Sequence, residues 1–70
     1  MNKTYGIYNQ DNMHVGQIQF DGITRLIYLN GTEEPYRTAN VYGHSEDVVK
    51  DEARSFIEGI IKEDVTLKLI

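Results

Sequence analysis

Residues 13–29 read MHVGQIQFDGITRLIYL, and this stretch decides the fold that the sequence predicts. Two runs rich in β-branched and aromatic residues flank Asp21 and Gly22. An Asp-Gly dipeptide suits both positive-φ positions of a type I′ turn, which joins two antiparallel strands with the right twist. The stretch therefore predicts a β-hairpin with Asp21 and Gly22 as its two-residue loop.

The loop position determines which side chains share a face of this hairpin, because side chains alternate along a strand. One face is mostly apolar and carries the pairs Phe20/Ile23, Ile18/Arg25, Gly16/Ile27 and His14/Leu29. The other face is polar near the turn and apolar towards the open end, with the pairs Gln19/Thr24, Gln17/Leu26 and Val15/Tyr28. A single helix can cover only one face of a small sheet, so we expect the second face to be left uncovered.

Three other segments have the character of strands. Residues 4–8 form a short β-favouring run before a polar turn, and residues 36–42 form another after the turn-rich stretch that ends at Pro35. Residues 65–69 alternate apolar and polar side chains with a period of two. Because proline cannot donate to the ladder of a central strand, Pro35 belongs to a loop.

One amphipathic helix follows the fourth predicted strand. Ser45 can cap the free N–H groups of its first turn, with Asp47 as the alternative cap, and the acids behind Ser45 suit the positive end of the helix dipole. Six apolar residues then recur at helical spacing, namely Val49, Ala53, Phe56, Ile57, Ile60 and Ile61. This stripe predicts the packing face, and Gly16 would let Phe56 and Ile60 approach the sheet closely.

Together these elements predict an α+β fold. A small antiparallel sheet of four to five strands, in the order ββββαβ along the chain, carries one amphipathic helix on one face. The 70 residues suffice for a single domain, residues 1–70, with a thin core. Because the chain contains no cysteine, its stability has to come from packing or from association, which favours a homodimer.

Composition also narrows the location. No apolar run approaches the ~18 residues that span a bilayer, and the first twenty residues lack a basic start followed by an apolar stretch. We therefore expect no membrane helix, no secretion signal and a cytoplasmic location. Small size, absence of cysteine and a net charge of −4 would suit accessory proteins of bacteria or their phages.

The uncovered hairpin face supplies the first candidate site. Met13, Val15, Leu26 and Tyr28 are apolar residues that would lie on it or beside it. Contiguous exposed apolar patches usually mark interaction sites, so these residues are a candidate interface for a second copy or for another protein. The alternative is that they belong to an ordinary surface, or that the N-terminal segment folds over them.

The acidic residues supply a second candidate site. Residues 45–64 hold seven acids against three bases, which accounts for the whole net charge of −4. Five of these acids could imitate a row of phosphates and occupy the basic cleft of a nucleic-acid-handling protein: Glu46, Asp47, Asp51, Glu52 and Glu58. The alternative is an ordinary solvated helix face, because Glu58 and Lys62 form a favourable i, i+4 pair.

Other functions lack the residues that they need. Direct binding of nucleic acid requires clustered cations, whereas this chain disperses them, at Lys3, Arg25, Arg37 and Lys68. His44, Ser45 and Glu46 are adjacent in the sequence, and adjacent side chains at a helix start cannot form a catalytic relay. No metal-ligand spacing and no glycine-rich phosphate loop is present. We therefore expect a non-enzymatic interaction module without metal or cofactor, with the acidic inhibitor as the alternative.

Overall fold

The computed structural model of the chain describes residues 2–21, 24–39 and 45–70. These residues form five strands and one helix in the order ββββαβ, so the predicted α+β fold is confirmed. The elements are β1 (Asn2–Tyr8), β2 (His14–Asp21), β3 (Thr24–Leu29), β4 (Tyr36–Ala39), α1 (Glu46–Ile61) and β5 (Thr66–Leu69). No helix in this described part is long and apolar enough to cross a membrane.

Every strand pair of the sheet is antiparallel, and the strands lie in the order β4-β3-β2-β1-β5. β1 is therefore an interior strand, paired with β2 on one side and with β5 on the other. The N-terminal segment belongs to the sheet and does not fold over one of its faces. That explanation for the apolar residues of the hairpin is wrong.

The hairpin of β2 and β3 is confirmed, but its register differs from the predicted one by two residues. Ile18 lies opposite Ile27 and not opposite Arg25, and Asp21 lies inside the ladder and not in the turn. The predicted positive φ of Gly22 lies outside the described residues. The observed register sets two buried isoleucines against each other, whereas the predicted one sets Ile18 against a cation. Because the shift is an even number of residues, the described side chains from Gly16 to Asp21 and from Thr24 to Leu29 keep their predicted faces.

The core lies between α1 and one face of the sheet. Its buried apolar side chains come from β1, β2, β3, α1 and the residue before β5: Tyr5, Ile7, Ile18, Phe20, Ile27, Leu29, Val49, Ala53, Ile57 and Val65. Phe20, Ile7, Ile18, Ile27 and Ile57 are fully buried, so the centre of the core is one aromatic ring packed among four isoleucines.

The predicted N-cap of α1 is confirmed. Ser45 has an extended backbone, and its side-chain oxygen accepts the N–H of Val48 at 3.4 Å. At the other end of the helix, Lys62 adopts a left-handed conformation and its N–H donates to the carbonyl of Glu58 at 2.8 Å. Ser45 is therefore the cap, and Asp47 belongs to the first turn.

The face of α1 that packs on the sheet is narrower than the predicted stripe. Val49, Ala53 and Ile57 are buried, whereas Phe56 is 38% exposed. The Phe56 ring lies at the side of α1 and makes an edge contact with Tyr36 of β4, with ring centroids 6.1 Å apart. The prediction that Phe56 is buried between α1 and the sheet is therefore wrong. Successive helical residues point about 100° apart, so Phe56 faces the edge strand when Ile57 faces the centre of the sheet.

Gly16 has a different role from the predicted one. A Cβ atom at this position would lie 2.1 Å from the carbonyl oxygen of Tyr28 and 3.0 Å from the Cα atom of Leu29. Both atoms belong to the backbone of β3. The close approach is therefore between two strands and not between the sheet and α1, and only glycine fits there without movement of the backbone.

Candidate functional site

The face of the sheet opposite α1, here named the outer face, is the first candidate site. Because side chains alternate along each strand, the residues between the buried ones belong to this face. It carries Thr4, Tyr8, Gln17, Gln19, Leu26, Tyr28, Arg37 and Lys68. No helix or strand of the described residues packs over the outer face as α1 packs over the other one.

The fold brings Leu26 and Tyr28, two of the predicted interface residues, together on the outer face. They lie two positions apart on β3; Leu26 is half-buried and Tyr28 is 38% exposed. Val15 is half-buried and packs against the core, and Met13 is 63% exposed in the loop before β2. The candidate interface therefore rests mainly on Leu26 and Tyr28.

An irregularity in the ladder between β1 and β2 accounts for the position of Val15. Ile7 lies opposite Gly16, but Tyr8 lies opposite His14, so Val15 is the extra residue of a bulge. Alternation predicts an outward side chain at this position. At a bulge one strand, here β2, has an extra residue that has no partner on the other strand. The strict alternation of side chains is therefore interrupted there.

An aromatic and cationic cluster that the sequence did not predict occupies the outer face near β5. The rings of Tyr8 and His14 are in edge contact, with centroids 5.4 Å apart. Lys68 Nζ lies 4.5 Å from the Tyr8 ring centroid and donates to Asn12 Oδ1 at 2.9 Å. His14, predicted opposite Leu29, belongs to this cluster instead. The cluster depends on the pairing of β1 with β5, a contact between distant segments that no local pattern reveals.

Glu46, the first of the predicted acidic residues, is held in a network at the start of α1. Its Oε1 atom accepts hydrogen bonds from Lys3 Nζ and from the Tyr5 hydroxyl, each at 2.7 Å. The hydrogen bond from Lys3, followed by that from Tyr5, lowers the pKa of Glu46. Burial, followed by the hydrogen bond to the Glu46 carboxylate, raises the pKa of Tyr5 to about 12. The carboxylate is therefore committed to a contact within the chain.

Three of the other predicted acidic residues also have partners within the chain. These contacts join Glu52 to Arg25 at 3.4 Å, Asp51 to Arg54 at 3.3 Å, and Glu58 to the backbone N–H of Val65 at 3.0 Å. Only the carboxylate of Asp47 has no such partner among the described residues. The five acids lie on one helix, but they do not form a row of free carboxylates.

Arg25 is a buried cation and not part of a surface patch. It is 3% exposed, and its guanidinium donates from Nε to Thr38 Oγ1 and from Nη2 to Glu52. Its Nη1 atom has no hydrogen-bond partner within residues 2–21, 24–39 and 45–70. Because this guanidinium is enclosed, the cations at the surface are fewer than the sequence suggests.

A metal site would need several histidine, cysteine or carboxylate side chains close together in the described part of the chain. That part contains no group of three or more histidine, cysteine, aspartate or glutamate residues that could hold a metal ion. His44 lies outside the described residues, and the Ser45 side chain serves as the helix cap. No protein-family model, curated protein or solved structure matches the chain.

The contact between Tyr5 and Glu46 predicts a loss of stability at high pH. The pKa of Tyr5 in the folded chain is about 12, above its ordinary value of 10.0. The stabilisation is therefore fully present below about pH 10 and is lost as the pH rises through 12, because burial disfavours a phenolate and a phenolate cannot donate to the carboxylate. We expect the free energy of unfolding in urea to fall over this range, and to fall less in Tyr5→Phe.

Titration of the phenolate absorbance checks the assignment to Tyr5. The wild-type chain should contain one tyrosine that ionises about two pH units later than an ordinary one. The Tyr5→Phe variant should lack this late step. A wild-type titration in which all five tyrosines ionise together near pH 10 would contradict the prediction.

Proposed function

We propose that this chain is a non-enzymatic interaction module that forms a homodimer through the outer face of its sheet. The observation that carries the proposal is that α1 and the core occupy one face, while Leu26 and Tyr28 lie on the other with no described element over them. Sheets that bury a second face pack face to face, about 10 Å apart. A second copy can supply this cover, since a two-fold interface needs only one self-complementary patch.

The distribution of charge supports contact between two outer faces. The net charge of −4 resides in residues 45–64, on and around α1, which is on the opposite side of the sheet. The outer face carries the cations Arg37 and Lys68, with Asp21 at its margin. A face-to-face dimer places the two acidic helices at its far ends, separated by both sheets. Their repulsion is then screened, because the separation exceeds a Debye length of about 8 Å.

The neighbours of Leu26 and Tyr28 suit such an interface. Leu26 lies between Gln19 and Arg37 in the sheet, and Tyr28 lies beside Gln17. Tyrosine and arginine are enriched in protein interfaces, and glutamine amides can hydrogen-bond across a two-fold axis. Because the apolar anchors are few, we expect a dissociation constant on the order of micromolar.

We place this module in the cytoplasm. The chain contains no cysteine, so its fold does not depend on an oxidising compartment. As a homodimer it presents every remaining surface twice and can join two molecules of another protein. We therefore propose another protein as its partner.

Sedimentation over a range of protein concentrations tests the dimer. We expect a dimer at micromolar concentration and a melting temperature that rises with concentration. Leu26→Glu should shift the chain to a monomer of 8.1 kDa. Val48→Glu is the matched control, because it adds the same charge at a valine that is 42% exposed on α1, and it should leave the dimer intact.

Two further measurements separate loss of the dimer from loss of the fold. Circular dichroism should show that Leu26→Glu, at a half-buried position, keeps its strands and helix. Tyr28→Ala changes a more exposed residue and should weaken the dimer without unfolding the chain. A wild-type chain that stays monomeric at high concentration, or equal dissociation in Leu26→Glu and Val48→Glu, would contradict the proposal.

A further inference from the structure

The outer edge of β5 has no partner strand in the described part of the chain. β5 is the last strand in the order β4-β3-β2-β1-β5. The N–H of Ile70 donates to the carbonyl of Thr4 at 3.0 Å, so residues 66, 68 and 70 direct their backbone groups towards β1. Because this pattern alternates, the N–H and C=O groups of Leu67 and Leu69 point away from the sheet.

A groove lies beside this free edge, on the same side of the sheet as α1. It has a volume of about 190 Å³ and is lined by Lys50, Asp51, Arg54, Thr66 and Leu67. Leu69 at the margin of the sheet is 63% exposed. A strand added to β5 would lie about 4.8 Å farther out. Its side chains on the helix side would then enter the groove.

The groove contains a lysine without a direct ion pair, although the chain is acidic. Asp51 and Arg54 form an ion pair at 3.3 Å and largely cancel each other. Lys50 Nζ lies 4.8 Å from the centroid of the Tyr5 ring, on the sheet side of α1. Lys50 makes no ion pair within the described residues. The hydrogen bonds that Glu46 accepts lower its pKa, and the charge of Lys50 adds to this effect, but no carboxylate of the described residues contacts the Lys50 ammonium group directly. An acidic side chain that enters the groove can therefore make that contact.

The devices that usually block a sheet edge do not act at β5. Proline and charged side chains, especially lysine, are common at such edges. β5 has the sequence TLKL and contains no proline. The ammonium of its single lysine, Lys68, is held over the Tyr8 ring and by Asn12, towards the interior of the sheet. The edge is therefore open to another strand.

We propose that the outer edge of β5 binds an extended segment of another protein by strand addition, with an acidic side chain of that segment beside Lys50. The outward N–H and C=O groups of Leu67 and Leu69 would hydrogen-bond to an extended strand, and Lys50 in the groove would favour an acidic side chain on that strand. The β5 strand of a second copy has no acid to offer, since it reads TLKL. A two-fold pairing centred on Lys68 would also set two lysines against each other. This site is separate from the outer face.

Two capped synthetic peptides test the proposal. In the first peptide, threonine occupies every second position, and the positions between are filled by glutamate and valine in turn. In the second peptide, lysine replaces each glutamate. We expect the first peptide, at about ten times its dissociation constant, to slow amide hydrogen exchange at Leu67 and Leu69 by about tenfold, because these amides exchange only while the peptide is unbound. The lysine peptide should protect these amides less. The Lys50→Glu variant should reverse the order of the two peptides.

A matched pair of variants at residue 69 tests the backbone contact. Leu69→Pro removes an N–H that points away from β1, so it deletes a bond to the peptide and none within the sheet. Leu69→Ala removes the same exposed side chain but keeps the N–H. We expect Leu69→Pro to weaken binding of the glutamate peptide about tenfold relative to Leu69→Ala, measured by fluorescence anisotropy of a labelled peptide.

The same measurements are made on the Leu26→Glu variant, so that failure of the dimer and failure of the edge site are told apart. Peptide binding should be the same in Leu26→Glu and in the wild-type chain. Absence of protection at Leu67, or equal binding by Leu69→Pro and Leu69→Ala, would overturn the proposal. A further contrary result would be sedimentation in which the wild-type chain and Leu69→Ala are dimers while Leu69→Pro is a monomer. That result would assign the edge of β5 to a second copy and would also overturn the proposal.

Discussion

Replacing Gly16 with alanine is expected to destabilise the chain by about 3 kcal/mol, a large part of the roughly 4–10 kcal/mol that holds a domain of this size together. The new Cβ atom would lie 2.1 Å from the carbonyl oxygen of Tyr28 and 3.0 Å from the Cα atom of Leu29. These are backbone atoms, so no change of rotamer can relieve the overlap. β2 and β3 would have to separate, and denaturation in urea should show the loss.

Gly59→Ala is the matched control, because it adds the same methyl group where there is room. A Cβ atom at residue 59 would meet no heavy atom within 4 Å beyond its chain neighbours and the backbone of its own helix. Gly59 lies inside α1, where alanine is favoured over glycine by about 0.5–1 kcal/mol. We expect this variant to gain stability while Gly16→Ala loses it. Changes of the same sign in both variants would contradict the assigned role of Gly16.

The second large effect is expected at Ile57, which is fully buried in the centre of the core. Ile57→Ala should cost about 2–5 kcal/mol, because the cavity forms where neighbouring strands cannot close it. Phe56→Ala removes more atoms but should cost only about 1 kcal/mol, since a partly exposed side chain returns less area to water. The ring of Phe56 is 38% exposed and rests against Tyr36. Equal losses from the two variants in a urea titration would show that Phe56 belongs to the core.

Local patterns were enough to predict the elements of the fold. The period-two runs predicted the strands, and the spacing of Val49, Ala53 and Ile57 predicted the packing face of α1. Local patterns do not determine the register of the hairpin, because an Asp-Gly dipeptide is compatible with more than one turn position. Because the error is two residues, Leu26 and Tyr28 keep the face that the sequence predicts for them, whereas His14 and Val15, at the bulge, do not.

The positions that sequence reasoning missed all depend on contacts between distant segments. The spacing of Phe56 fits the apolar stripe and so predicts a core position. Its burial also depends on how far the sheet extends beneath α1, and at Phe56 the helix faces the edge strand β4. The bulge at Val15 arises from the pairing of β1 with β2. The cluster of Tyr8 and Lys68, and the free edge of β5, require that β5 lie beside β1. No periodicity within a single segment contains that information.

The pairing of β1 with β5 has a consequence for the growing polypeptide on the ribosome. Tyr5 lies opposite Leu69, so β1 waits for β5, which follows the other four strands of the sheet in the chain, before its second edge is closed. Until then β1 offers a row of unsatisfied amides to any neighbouring nascent chain, which is a hazard for aggregation. Closing a loop of this length is also slow compared with forming the β1–β2–β3 meander. The second edge of β1 therefore stays open until α1 and β5 have both been synthesised.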